Sequence, residues 1–149
     1  VAVADINQDG WDDIYVANDF RENDFCYVAQ PPVTPRLPKG GVSQVPLPSP
    51  PLGDRGVRFA DESTTLFGHH SRNSMGCDWA DFTGDARPDL VTLDMLAADE
   101  RVLKASVGDD EADVYDFKRG FGFYYQYARN TLQISQGPGL PFSDQALLR

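Results

Sequence analysis

Lysine is scarce in this chain. Of 13 basic residues only Lys39, Lys104 and Lys118 are lysines, and 23 acidic residues leave a net charge of −10. That balance argues against a nucleic-acid partner, whose phosphates want a basic patch. It suits cation binding, although an acidic surface also serves solubility. Cysteine is nearly absent. Cys26 and Cys77 each sit in a strand-like stretch, where a buried free thiol behaves as a small hydrophobe. A Cys26–Cys77 disulfide is the alternative, because spacing does not show the geometry a bridge needs. No Cys/His spacing suits zinc. No apolar run approaches the ~20 residues of a membrane span. No Gly-x-Ser-x-Gly elbow is present, so His69-His70-Ser71-Arg72-Asn73-Ser74 reads as a polar connection rather than a catalytic centre. The 149 residues suffice for one core. The chain opens at Val1 without an initiator Met, on a strand-like Val1-Ala2-Val3-Ala4, and ends at Leu147-Leu148-Arg149. It reads as a piece of a longer chain, with any signal peptide upstream.

What is abundant is acid at regular spacing. In Asp5-Ile6-Asn7-Gln8-Asp9-Gly10-Trp11-Asp12-Asp13, oxygen side chains fall at relative positions 1, 3, 5 and 9, with glycine at position 6. Ca²⁺ takes six to eight oxygens, and alternate residues of a tight loop all point inward. Gly10 takes the sharp turn, where a Cβ would clash, and Trp11 offers its backbone carbonyl at position 7. An EF-hand would need Glu at position 12 and a following helix. Position 12 here is Val16, in the strand-like Asp13-Ile14-Tyr15-Val16-Ala17, so Asp13 closes the set. The alternative is an ordinary Asx-rich turn between strands.

The pattern returns 76 residues later in Asp81-Phe82-Thr83-Gly84-Asp85-Ala86-Arg87-Pro88-Asp89. Asp81, Asp85 and Asp89 match Asp5, Asp9 and Asp13, and strand-like flanks match on both sides. An internal repeat of this kind points to arrays or propellers. The second copy is the poorer ligand set. Thr83 offers only a hydroxyl, Arg87 contributes only its backbone carbonyl at position 7, and Ala86 puts a Cβ where φ is expected to be positive. One or two calcium ions are expected, the first loop binding the more tightly.

The two acidic loops, Asn18-Asp19-Phe20, and Arg129-Asn130-Thr131-Leu132-Gln133-Ile134 resemble FG-GAP/VCBS-type repeats. Ser74-Met75-Gly76-Cys77-Asp78-Trp79-Ala80-Asp81 and Gly122-Phe123-Tyr124-Tyr125-Gln126-Tyr127-Ala128-Arg129-Asn130 narrow the resemblance to bacterial proteins that carry these repeats beside an ASPIC/UnbV module. The resemblance implies an all-β fold of four-stranded β-propeller blades, similar to the integrin α-subunit head, with calcium between a blade's first two strands. It also implies an exported protein (secreted, periplasmic or cell-surface) whose surface binds protein or carbohydrate without catalysis.

On this reading residues 1–63 form one blade, with strands near 1–4, 13–17, 24–29 and 57–62. Residues 64–149 form a second, with strands near 75–80, 89–94, 130–135 and 141–146. Two blades do not close a ring, since propellers typically carry at least four. An insert over 30–56 holds eight of the eleven prolines and is expected to be an extended surface loop. A partner-binding role is the alternative for it. A second insert over 96–129 carries a short helix, Asp109-Asp110-Glu111 leading into Ala112 to Arg119, with acids first, bases last and Gly120 as its terminator. Phe121, Phe123, Tyr124, Tyr125 and Tyr127 follow, as packing for that helix or as a sugar-stacking patch. Asp24 and Arg21 read as a surface ion pair, and Asn18-Asp19 and Asp94 as strand caps or as the lining of a ligand face. The competing function is a calcium-dependent polysaccharide lyase or hydrolase on a propeller, for which His69, His70, Arg72 and Arg129 are the candidates.

Overall fold

The computed structural model describes residues 1–19, 22–30, 57–95, 97, 99–105 and 112–146. The proline-rich insert, Arg21 and Asp109-Asp110-Glu111 fall outside these residues. The described chain is mostly β, built on antiparallel sheets. Strands β1 (Ala2–Ala4), β2 (Asp13–Val16), β3 (Phe25–Gln30) and β4 (Arg58–Asp61) form one sheet in sequential order. A four-residue helix, α1 (Ser63–Leu66), and the short β5 (His70–Ser71) lead to β6 (Ser74–Ala80) and β7 (Asp89–Asp94). Helices α2 (Glu100–Ala105) and α3 (Ala112–Gly120) precede β8 (Gln126–Tyr127), β9 (Thr131–Ile134) and β10 (Ser143–Asp144). The second sheet runs β6-β7-β9-β10, and neither four-stranded sheet closes on itself. A two-stranded parallel pair joins β5 to β8.

The two sheets are built alike. Each is an antiparallel meander whose first two strands are joined by an acidic loop. Ala4 pairs with Asp13 at the mouth of one loop, and Ala80 with Asp89 at the mouth of the other. Period-2 alternation decides what each sheet buries. Along β2, Asp13 and Tyr15 are buried while Ile14 and Val16 are only half-buried. Tyr15 therefore enters the core between the sheets, with Ile6, Cys26, Phe67, Leu90 and Phe142. Its ring meets Phe67 edge-on at 5.5 Å and Trp79 at 6.1 Å, and Phe67 stacks on Phe142 at 5.0 Å. Cys26 and Cys77 are both free thiols of this core, and burial pushes the Cys26 thiol up to about 12.

Helix α3 runs one residue past Arg119, and the terminator is not Gly120. Gly122 takes the left-handed conformation at φ 92°, with its N–H and those of Phe121 and Phe123 closing on the carbonyls of Lys118 and Arg119. A second correction concerns Asp24. It is no surface partner: it is fully buried, and it accepts hydrogen bonds from the Tyr15 hydroxyl (2.6 Å), Ser74 Oγ (3.0 Å) and the Asn18 N–H (2.8 Å). Burial raises its pKa. The carboxylate ties the first sheet to the start of β6, which an exposed ion pair would not do.

Candidate metal centre

Both acidic loops fold around the carboxylate at their first position. Asp5 accepts the N–H of Asp9 on Oδ1 (3.0 Å) and of Gly10 on Oδ2 (2.8 Å). Asp81 accepts the N–H of Asp85 on Oδ1 (3.0 Å) and of Ala86 on Oδ2 (2.8 Å). These bonds hold the Asp81 carboxyl below its ordinary pKa, the Ala86 N–H contributing most. At the fifth position Asp9 accepts from the Trp11 N–H (2.9 Å) and Asp85 from the Arg87 N–H (3.0 Å). Two residues in each loop must adopt positive φ: Gln8 (60°) and Gly10 (89°), then Gly84 (77°) and Ala86 (63°). Each loop thus has one glycine and one residue with a Cβ, at exchanged positions. Ala86→Gly removes a left-handed penalty of about 1 kcal/mol, partly offset by the freedom glycine adds to the unfolded chain. A net gain of about 0.5 kcal/mol in chemical denaturation is expected; a loss would mean that the methyl group is packed.

The closing aspartates behave differently from the others. Asp13 is buried, its Oδ2 accepting the Ile6 N–H (3.0 Å) and its Oδ1 the Ala29 N–H of β3 (2.7 Å). Asp89 is buried too, with Oδ2 on the Phe82 N–H (3.0 Å) and Oδ1 on the Ser135 N–H beyond β9 (2.9 Å). Each staples its loop to the third strand of its sheet. One lone pair remains on each oxygen for another partner. Burial raises the Asp13 pKa against the pull of its two N–H bonds.

Asp5, Asn7 and Asp9 sit together in the first loop. Asn7 Oδ1 accepts the Asp9 N–H (3.0 Å), and its Nδ2 donates to Asp9 Oδ2 (3.0 Å). The second loop has its own cation: the Arg87 guanidinium pairs with Asp85. Thr83 Oγ1 lies 3.5 Å from Asp81 Oδ1. The loops also touch, since Gln8 Nε2 donates to the Ala86 carbonyl at 3.0 Å. Among the described residues no three His, Cys, Asp or Glu side chains are gathered tightly enough to hold a metal as they stand. The donor chemistry of the first loop, all hard oxygen, nonetheless fits calcium. In the second loop Arg87 competes for the Asp85 carboxylate.

The remaining candidates lie elsewhere. His69 Nε2 is 2.9 Å from Asp144 Oδ2, which Arg129 also reaches at 2.7 Å. Asp144 is held below its ordinary pKa because two backbone N–H groups, Arg129 and His69 together outweigh its burial. His70 is buried between Phe67 and Tyr124. Arg72 lines a cavity with α3. Asp94 accepts from Ser71 Oγ (2.6 Å) and the Asn73 N–H (2.9 Å). Of the four lyase candidates, His69 and Arg129 come together, with Arg129 Nη2 3.1 Å from His69 Nε2. Sequence reasoning missed the stapling role of Asp13 and Asp89. The signal was their position at the first residue of a strand, where a carboxylate reaches the loop and the neighbouring strand at once. Comparison with models of protein families, with curated proteins and with solved structures found no match for this chain.

Proposed function

We propose that the chain is a non-catalytic, calcium-stabilised recognition module made of β-propeller blades, belonging to an exported protein that binds protein or carbohydrate. The observation that carries the reading is how the two sheets stack. The Tyr15 face of the first sheet packs on the opposite face of the second, the one bearing Cys77, Trp79 and Leu90. Such head-to-tail stacking leaves both outer faces able to continue the series. Ile6 belongs to the shared core and Ala17 packs against it, whereas their counterparts Phe82 and Leu93 stand 46% and 53% exposed. At the other end Val3, the counterpart of Trp79, is 56% exposed. Further blades on both faces account for these apolar surfaces.

In this reading Asp5, Asn7, Asp9 and the Trp11 carbonyl hold calcium, with Asp13 lending its remaining lone pairs. The bound ion would neutralise the clustered carboxylates and favour the folded state by linkage. The Arg87–Asp85 pair supports a single strong site, in the first loop. Calorimetric calcium titration of the chelator-stripped protein tests this. One binding event is expected, lost in Asp9→Ala and retained in Asp85→Ala. A folded sample that binds no calcium would reduce both loops to turns. A second event lost in Asp85→Ala would show that Arg87 does not block its loop.

A further inference from the structure

Most of this chain's surface charge is negative, yet one cavity is lined by cations. It measures about 350 Å³ and lies between α3, β8 and the end of β5. Among the described residues its wall contains Arg72, Lys118 and Arg119 against one acid, Asp116. Lys118 and Arg119 also suit the C-terminal turn of a helix, but Arg72 comes from a different element and is itself buried. Tyr115, Phe123, Tyr124 and Tyr127 supply the rest of the wall, with the Gln126 side chain. The Arg119 guanidinium is held over the Tyr125 ring at 3.5 Å, which limits its freedom before any ligand arrives.

A wall that carries three cationic residues beside flat aromatic rings suits one chemistry well. A guanidinium takes a carboxylate through paired N–H bonds, and aromatic faces take the C–H face of a ring. A cavity of this size falls within the range of small-molecule sites. We propose that it binds an acidic sugar, with the carboxylate on the Arg72–Lys118–Arg119 side and the ring against the tyrosines. This deepens the recognition role proposed above by naming the ligand class, and it uses neither acidic loop.

The test is a titration of the ¹⁵N-labelled full chain, with and without calcium, using a disaccharide of galacturonic acid. A neutral galactose disaccharide and inorganic phosphate serve as the other probes. Saturable shifts are expected at amides in 112–127, with the neutral disaccharide and Arg119→Gln each weakening binding about tenfold. Tyr127→Leu should weaken it as well, and it carries the mutational arm if Arg119→Gln does not fold. Absence of saturable shifts with the uronate at millimolar concentration overturns the proposal. Phosphate binding as tightly as the uronate overturns the sugar assignment and leaves a simple anion site. Failure here with calcium binding intact sinks only this inference; loss of calcium binding with uronate shifts intact sinks only the metal reading.

Discussion

Asp13→Ala is expected to lower the unfolding free energy by about 4 kcal/mol, and Asp89→Ala by a similar amount. Each substitution removes a buried carboxylate and strands two buried N–H donors: Ile6 and Ala29 in one case, Phe82 and Ser135 in the other. An orphaned donor costs about 1–3 kcal/mol, and both pairs of donors are bound to a side chain that is itself 1% exposed or less. Against a typical total of about 5–15 kcal/mol, either change leaves a marginal fold. Asn is the informative control. Its carbonyl satisfies one N–H, while its amide group faces the other as a second donor, so a loss of about half is expected. Urea denaturation in the presence of chelator separates this effect from any metal contribution. A cost below about 1 kcal/mol for Asp13→Ala would mean that the stapling bonds are dispensable. Asp9→Ala provides the contrast: Asp9 is exposed and accepts a single backbone N–H, from Trp11, so its loss should touch calcium binding far more than stability in chelator.

The contrast between Asp9 and Asp13 marks where sequence reading reaches its limit. The strands were legible because alternation, β-branched runs and the acidic turns all agreed. Strands observed at 13–16, 25–30 and 89–94 lie within a residue or so of those expected. The positive φ at Gly10 and Ala86 followed from the turn chemistry alone. The split among the aspartates did not, because the exposed loop carboxylates and the stapling ones share one residue type and one spacing. What separates them is burial, and burial depends on a third strand that arrives 16 residues later for Asp13 and 46 residues later for Asp89. Asp24 illustrates the same point: its partners Tyr15 and Ser74 come from two different sheets. The β5–β8 pair was illegible for another reason. Two-residue strands have no periodicity to detect, and the two partners lie on either side of α2 and α3. Helix α1 is a single turn whose Ser63 N–H is held by Asp61, and its short polar stretch resembles any connection. Arg87 was legible as a residue but not as a counter-ion, since a backbone ligand position says nothing about where its side chain turns.

His70 should make its own contribution to stability fall with acid well above the carboxylate range. Its ring is 1% exposed, with Phe67 at 6.2 Å and Tyr124 at 5.3 Å. Among the described residues neither ring nitrogen has a hydrogen bond of good geometry. Burial disfavours the imidazolium and lowers the pKa to about 4, against the pull of the Ser63 backbone and with the adjacent His69 pushing the same way as burial. The sign follows from proton counting. Above the unfolded value of 6.5, neither state binds the proton and the stability is fully present. Between 6.5 and about 4 the unfolded chain takes up a proton that the folded chain refuses, so stability falls. The total loss across that window is about 3 kcal/mol. Asp13 and Asp24 act in the opposite sense: their raised values mean that acidification relieves part of their burial cost. Asp81 and Asp144, held low, withdraw support only as pH falls below the ordinary carboxylate value. A raw pH profile therefore mixes opposing contributions, and the difference between wild type and His70→Phe isolates one of them. Phenylalanine keeps the ring against Phe67 and Tyr124 without a titrating group, at a cost of less than about 1.5 kcal/mol near neutrality. The variant should then gain about 3 kcal/mol relative to wild type as the pH is lowered from neutral to 4. A difference curve that stays flat would place the His70 ring in contact with water or with a partner that accepts its proton.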